Sequence, residues 1–139
     1  MSAETICVSW LEEIQQGIHQ PGDTYKIALY TASASLDHTT AVYSATNEAS
    51  GAGYVAGGKI LAGFATGRSG KTAWTDFADV AWPNSTITGR YALIYNATRG
   101  NKAVKTIDFL VTKASSNGQF DVEFPEPAAN TALLRLTAP

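Results

Sequence analysis

The chain has 139 residues and a mass of 14.7 kDa, enough for a single domain that buries about two thirds of the surface its unfolded form exposes. Ten Lys and Arg against 12 Asp and Glu leave a net charge of −2, which excludes a general nucleic-acid binder, because that activity requires a surplus of cations to displace counterions. Charged residues make up only 16% and aromatic residues 10%, a balance that excludes a disordered chain and leaves a compact one with a surface of small neutral side chains.

In chain order, the first pattern is helical. Ile6, Cys7, Trp10, Leu11, Ile14 and Ile18 recur at spacings of three and four, with Glu12, Glu13, Gln15 and Gln16 on the other side. This predicts a helical N-terminal segment over residues 1–20, with stop signals at Gly17, Pro21 and Gly22. Cys7, alone among apolar neighbours, reads as a small buried hydrophobe with no disulfide to form.

From Asp23 onward the period is two. Over residues 24–31, Tyr25, Ile27 and Leu29 alternate with Thr24, Lys26 and Ala28. Over 86–95, Ile87, Tyr91, Leu93 and Tyr95 share one face, with Thr88, Arg90, Ala92 and Ile94 on the other. Over 119–124, Phe120, Val122 and Phe124 point in while Gln119, Asp121 and Glu123 point out. Weaker strands are predicted at 40–45, 59–64, 72–77, 103–111 and 132–137. Thr98-Arg99-Gly100-Asn101 and Ser115-Ser116-Asn117-Gly118 read as turns between strands. The fold predicted is all-β: a single domain over 1–139, in which an antiparallel, jelly-roll-like β-sandwich at 23–139 follows one N-terminal α-helix.

Few residues offer chemistry. Residues 65–72, Ala-Thr-Gly-Arg-Ser-Gly-Lys-Thr, fit the loose form of a phosphate-binding loop, but such a loop needs a helix behind it. The run that follows, Ala73-Trp74-Thr75-Asp76-Phe77, has the strand period, so a basic hairpin tip is expected instead. Asp76 and Asp79 lie beside Trp74, Phe77 and Trp82 as a sugar-binding or sugar-cleaving pair would; as loop carboxylates capping turn N–H groups they need no substrate. His19 and His38 have no ligand spacing, and with one cysteine no metal site, cofactor or catalytic triad is expected. Nor is there a run of ~18 apolar residues to cross a membrane, or a basic and apolar leader at Met1-Ser2-Ala3-Glu4-Thr5. The chain is expected to be made in the cytoplasm and not exported. Charge is −5 over residues 1–58, +5 over 59–113 and −2 over 114–139, a dipole suited to docking on a protein of complementary charge.

Several stretches together carry a resemblance. They are Gly17-Ile18-His19 leading into residues 23–31, Gly53-Tyr54 with Ala56-Gly57-Gly58, Ala73-Trp74 with Asp76-Phe77, residues 87–95, Gly100-Asn101-Lys102-Ala103, Asp108-Phe109 and residues 120–125. From about residue 11 onward the chain resembles a family of small virion structural proteins of tailed bacteriophages. The resemblance implies a capsid decoration (cement) protein with no enzymatic activity, set on the capsid exterior. Its partner would be the major capsid protein, bound between capsomers as a homodimer, without nucleic acid or membrane. Contact residues expected on this reading are Tyr54, Arg68, Lys71, Trp82, Arg99 and Lys102. Rival readings are a tail, neck or fibre-base component, and a glycan-binding module built on Trp74, Asp76, Asp79 and Trp82.

Overall fold

The computed structural model describes residues 3–125, 128 and 131–138. The protein is mostly β, 46% strand against 8% helical, and its sheets are antiparallel. The elements are β1 (Ala3–Ile6), α1 (Val8–Gln15), β2 (Tyr25–Tyr30), β3 (Lys59–Ile60), β4 (Ala65–Ser69), β5 (Thr72–Asp76) and β6 (Val80–Ser85). They continue with β7 (Thr88–Asn96), a 3-10 turn (Ala97–Arg99), β8 (Lys102–Ala114), β9 (Gly118–Val122) and β10 (Leu134–Thr137). The chain forms two compact units, Met1–Ile60 with Trp82–Phe120, and Leu61–Ala81 with Asp121–Pro139. The divisions fall inside β6 and β9, which pair as a two-stranded ribbon.

The first unit is built on a five-stranded sheet in the order β1-β8-β7-β2-β3. Its opening residues correct the expected helical segment at 1–20. Ala3 to Ile6 pair with β8, Ala3 opposite Asp108 and Ile6 opposite Lys105. Thr5 and Ile6 are β-branched and favour the pleated surface, and Glu4 reaches the buried Lys105 ammonium at 2.7 Å. Only Val8 onward is helical, and Trp10 is the one fully buried residue of α1. The helix ends in a Schellman arrangement, with the Ile18 N–H donating to the Glu13 carbonyl and the Gly17 N–H to that of Ile14.

Central strands of this sheet are covered on both faces, which also departs from simple alternation. Ala28, Ala92 and Ile94, expected outside, are wholly buried beside Ile27, Leu29, Leu93 and Tyr95. The run expected as a strand at 40–45 stays irregular apart from a bridge at Val42. It lies within the long connection between β2 and β3, which closes the edge of β2 beyond Ile27. The Ala49 N–H donates to the Leu29 carbonyl at 2.8 Å, and the Leu29 N–H donates to the Tyr54 hydroxyl at 3.0 Å. An exposed ladder edge is thereby filled by loop backbone and one phenol.

In the second unit the sheet order is β10-β5-β4. The residues that resembled a phosphate loop form the β4–β5 hairpin, in which Ser69 faces Thr72 across the two-residue turn Gly70-Lys71. Leu61, Phe77, Val80, Val122, Ala132, Leu133 and Leu134 are the buried apolar residues among those described, and Phe64 meets Phe77 edge-on at 5.6 Å. In β9 the period-two reading holds: Phe120 and Val122 are buried while Gln119 and Asp121 are exposed.

Candidate contact surfaces

Several of the polar side chains that the first unit brings together face one another. Glu48 receives the hydroxyls of Tyr43 and Tyr54 and, at 2.8 Å, the N–H of Gly57. Tyr95 donates to the Gly57 carbonyl and stacks on Tyr43 with ring centroids 4.7 Å apart. Burial, helped by the Glu48 charge, raises the hydroxyl pKa of Tyr30, Tyr54 and Tyr95. Tyr43 is raised the same way, and for Tyr43 and Tyr54 alike the hydrogen bond to Glu48 is the second cause. The cluster holds the β2–β3 connection as a fixed surface.

A second network ties the loop after α1 to the β7–β8 turn. Asn96, fully buried, donates through Nδ2 to Asp23 Oδ2 at 2.9 Å and to His19 Nδ1 at 3.1 Å, while its Oδ1 accepts the Thr98 N–H. An imidazole nitrogen that accepts is unprotonated, so the ring proton sits on Nε2, 2.8 Å from Glu13 Oε1. Arg99 closes the network with a bidentate pair to Asp23, at 2.9 and 3.0 Å. That pair holds the Asp23 carboxyl well below its ordinary range. Cys7 is buried, and its thiol is pushed up to about 12, chiefly by desolvation.

The third feature faces outward. Between Gly89 and Tyr91 on β7 the ladder with β8 slips, so that only Arg90 stands opposite residues 109–112. The extra residues make a large bulge. Phe109 turns inward against Phe120, 6.1 Å between centroids, while Leu110 and Val111 stand 42% and 61% exposed. Leu110 adopts φ +68°, a left-handed conformation that is costly for a branched side chain. Asp108 holds it there, receiving the Leu110 N–H at 2.8 Å and Arg90 Nε at 2.6 Å on one carboxylate oxygen. The run read from sequence as an unbroken strand at 103–111 therefore carries an apolar projection.

Comparison with protein-family models, curated proteins and solved structures finds no match.

The residues chosen from sequence scatter. Trp82 is a correction: it is 3% exposed, packed edge-on to Phe120 with Lys59 over its ring, so it offers no outer surface. Tyr54 has its hydroxyl engaged with Glu48 and Leu29. The Arg99 guanidinium is occupied by Asp23, although part of it is exposed. Lys102 is half-buried at the start of β8. Arg68 and Lys71 are exposed on the β4–β5 hairpin. Of the carboxylate pair, Asp79 accepts the Phe124 N–H at 2.8 Å, as a capping carboxylate does. Leu110 and Val111 escaped the sequence reading, because the pattern of a bulge is indistinguishable from that of a strand.

Proposed function

We propose that the protein is a bacteriophage virion structural protein that decorates and cements the capsid, binding the major capsid protein between capsomers as a homodimer on the outside of the head. The observation that carries this reading is the apolar projection at Leu110 and Val111, anchored by Asp108 and Arg90. Protein interfaces concentrate their energy in a few apolar or aromatic anchors, and an anchor already rigid loses less entropy on binding. The polar networks around Glu48 and Asn96 support the same reading, since they stiffen the unit that carries the projection. The resemblance in sequence supplies the shell as the partner. A cement repeats one modest joint over many copies, so each contact needs little area for the shell to gain much.

The test is to mix purified protein with decoration-free heads, pellet them, and count bound copies for wild type and Val111→Asp. The reading expects a copy number proportional to the number of capsomers, lost in the variant while its fold is retained. No binding to heads, with retention on isolated tails, would move the protein to a tail, neck or fibre-base station.

A further inference from the structure

Loop backbone closes part of the larger sheet's edges. Beyond Ile27, β2 meets the Ala49 N–H and the Tyr54 hydroxyl. At the start of β8, the Tyr43 N–H donates to the Asn101 carbonyl at 2.9 Å and the Ala103 N–H to that of Ala41 at 3.0 Å. The β4 edge of the three-stranded sheet has no such cover. Along an antiparallel strand the N–H and C=O of one residue point to one side, and those of the next point to the other. The Lys71 carbonyl receives the Ala138 N–H at 2.7 Å, on the β10 side. Thr72, Trp74 and Asp76 therefore turn their backbone groups to β4, and their partners Ser69, Gly67 and Ala65 turn theirs to β5. The backbone groups of Thr66 and Arg68 point away from the sheet. Both residues are exposed, and among the described residues no hydrogen bond reaches those four groups.

An open edge of this kind is a template for another strand, and here its spacing matches a second copy of itself. We propose that β4 is a dimerisation edge, along which two copies pair antiparallel about a two-fold axis at Gly67. Thr66 of one copy then faces Arg68 of the other, twice, and each pair exchanges both of its backbone hydrogen bonds. All four outward groups of each copy are satisfied, so the contact is isologous and closes at two copies. Any other antiparallel register sets Thr66 or Arg68 against a residue outside β4. Gly67 meets Gly67 at the narrow, non-hydrogen-bonded position, and Ala65 meets Ser69, so no bulky side chain holds the strands apart. No like charges stand directly opposite. The inference gives the homodimer of the proposed function its surface, and rests on that reading only for where the dimer sits. Five residues of strand edge fall short of the about 1,200 Å² buried in a stable interface. The dimer is therefore weak in solution and gains from copies held side by side on a shell.

Sedimentation velocity on the purified protein alone, from about 10 μM to about 1 mM, reads this contact. A reversible monomer–dimer equilibrium is expected, with a Kd on the order of 0.1 mM. The Thr66 N–H points outward, so Thr66→Pro removes it without taking a bond from the β4–β5 ladder, and should weaken association about tenfold or more. Thr66→Glu sets a carboxylate opposite Arg68 and should tighten the dimer about threefold or more, while Thr66→Lys sets like charges there and should loosen it by about the same factor. A folding defect would move both charge variants the same way, so their opposite shifts report the pairing itself. The proposal is overturned if the protein stays monomeric throughout, if the three variants associate as wild type does, or if assembly grows past two copies. Heads take no part in the measurement, so loss of this dimer and loss of shell binding are read separately.

Discussion

Gly58 passes so close to Ile27 that a β-carbon at residue 58 would stand 1.8 Å from the Ile27 carbonyl oxygen. The approach lets the end of the β2–β3 connection lie against the central sheet, with Gly58 at φ +83°. A side chain would meet both a backbone collision and a conformation that L residues avoid. Gly58→Ala is therefore expected to destabilise the protein by about 3 kcal/mol or more, read as a lower urea midpoint at unchanged slope.

Glu48 is the acceptor on which that connection depends. Glu48→Ala leaves the Tyr43 and Tyr54 hydroxyls and the Gly57 N–H without their carboxylate. The loss expected is about 2–3 kcal/mol, since a charged acceptor is worth more than a neutral one and its donors are left buried. Glu48→Gln, which keeps the shape and one acceptor oxygen, should recover part of it. Chemical denaturation of the two variants measures the difference.

The same cluster sets an alkaline limit. Burial raises Tyr30, Tyr43, Tyr54 and Tyr95 above the ordinary tyrosine value, and Tyr25 is pushed up to about 12. The unfolded chain gives up these protons near pH 10, before the folded one does. Stability from the raised values is full below that pH and is lost as pH rises through the folded values. Tyrosinate absorbance from these residues is expected to lag behind free tyrosine and then rise together with the loss of β-sheet dichroism. A gradual rise with the sheet intact would mean that the hydroxyls are open to solvent.

Acid acts through carboxylates of opposite shift. Arg99 holds Asp23 low and Arg90 holds Asp108 low, each mainly by hydrogen bonding. A depressed folded value contributes stability above the unfolded carboxylate value, near pH 4, that is lost as pH falls through the folded one. Unfolding midpoints measured downward from pH 5 should fall, and Asp23→Asn should flatten part of that dependence. Asp108→Asn should flatten another part, while its amide oxygen can still accept the Leu110 N–H.

Much of this framework was legible locally. The 98–101 turn, the Asn117-Gly118 corner and the in-out alternation of β9 follow from neighbouring residues alone, because turn chemistry and pleat are short-range. The Asp23–Arg99 pair joins residues 76 apart in sequence, and no local pattern announces it. Residues 40–45 alternate like a strand but pair only at Val42, opposite Lys102, with the Tyr43 N–H donating to the Asn101 carbonyl and the Ala103 N–H to that of Ala41, so the ladder stops at one bridge. Ile6 and Cys7 satisfied a helical spacing, yet β8 offers the preceding residues a pairing edge. Trp74 and Trp82 look alike in sequence, yet Trp82 is buried in the core while Trp74 lies half-buried over Gly67, a difference set by strand register.

The bulge at Leu110 makes a prediction in which stability and binding move in opposite directions. Leu110 sits at φ +68° and is 42% exposed, so replacing it with glycine relieves backbone strain at little cost in buried apolar area. Leu110→Gly is expected to stabilise the isolated protein by about 1 kcal/mol. The same variant loses the apolar side chain that the proposed contact uses, so binding to decoration-free heads should fall, as it does for Val111→Asp. Strain retained at an exposed leucine is useful to the protein only if something outside the chain receives that side chain. A Leu110→Gly protein that is more stable and still decorates heads at full copy number would remove the projection from the interface. A less stable one would mean that the leucine packs within the protein.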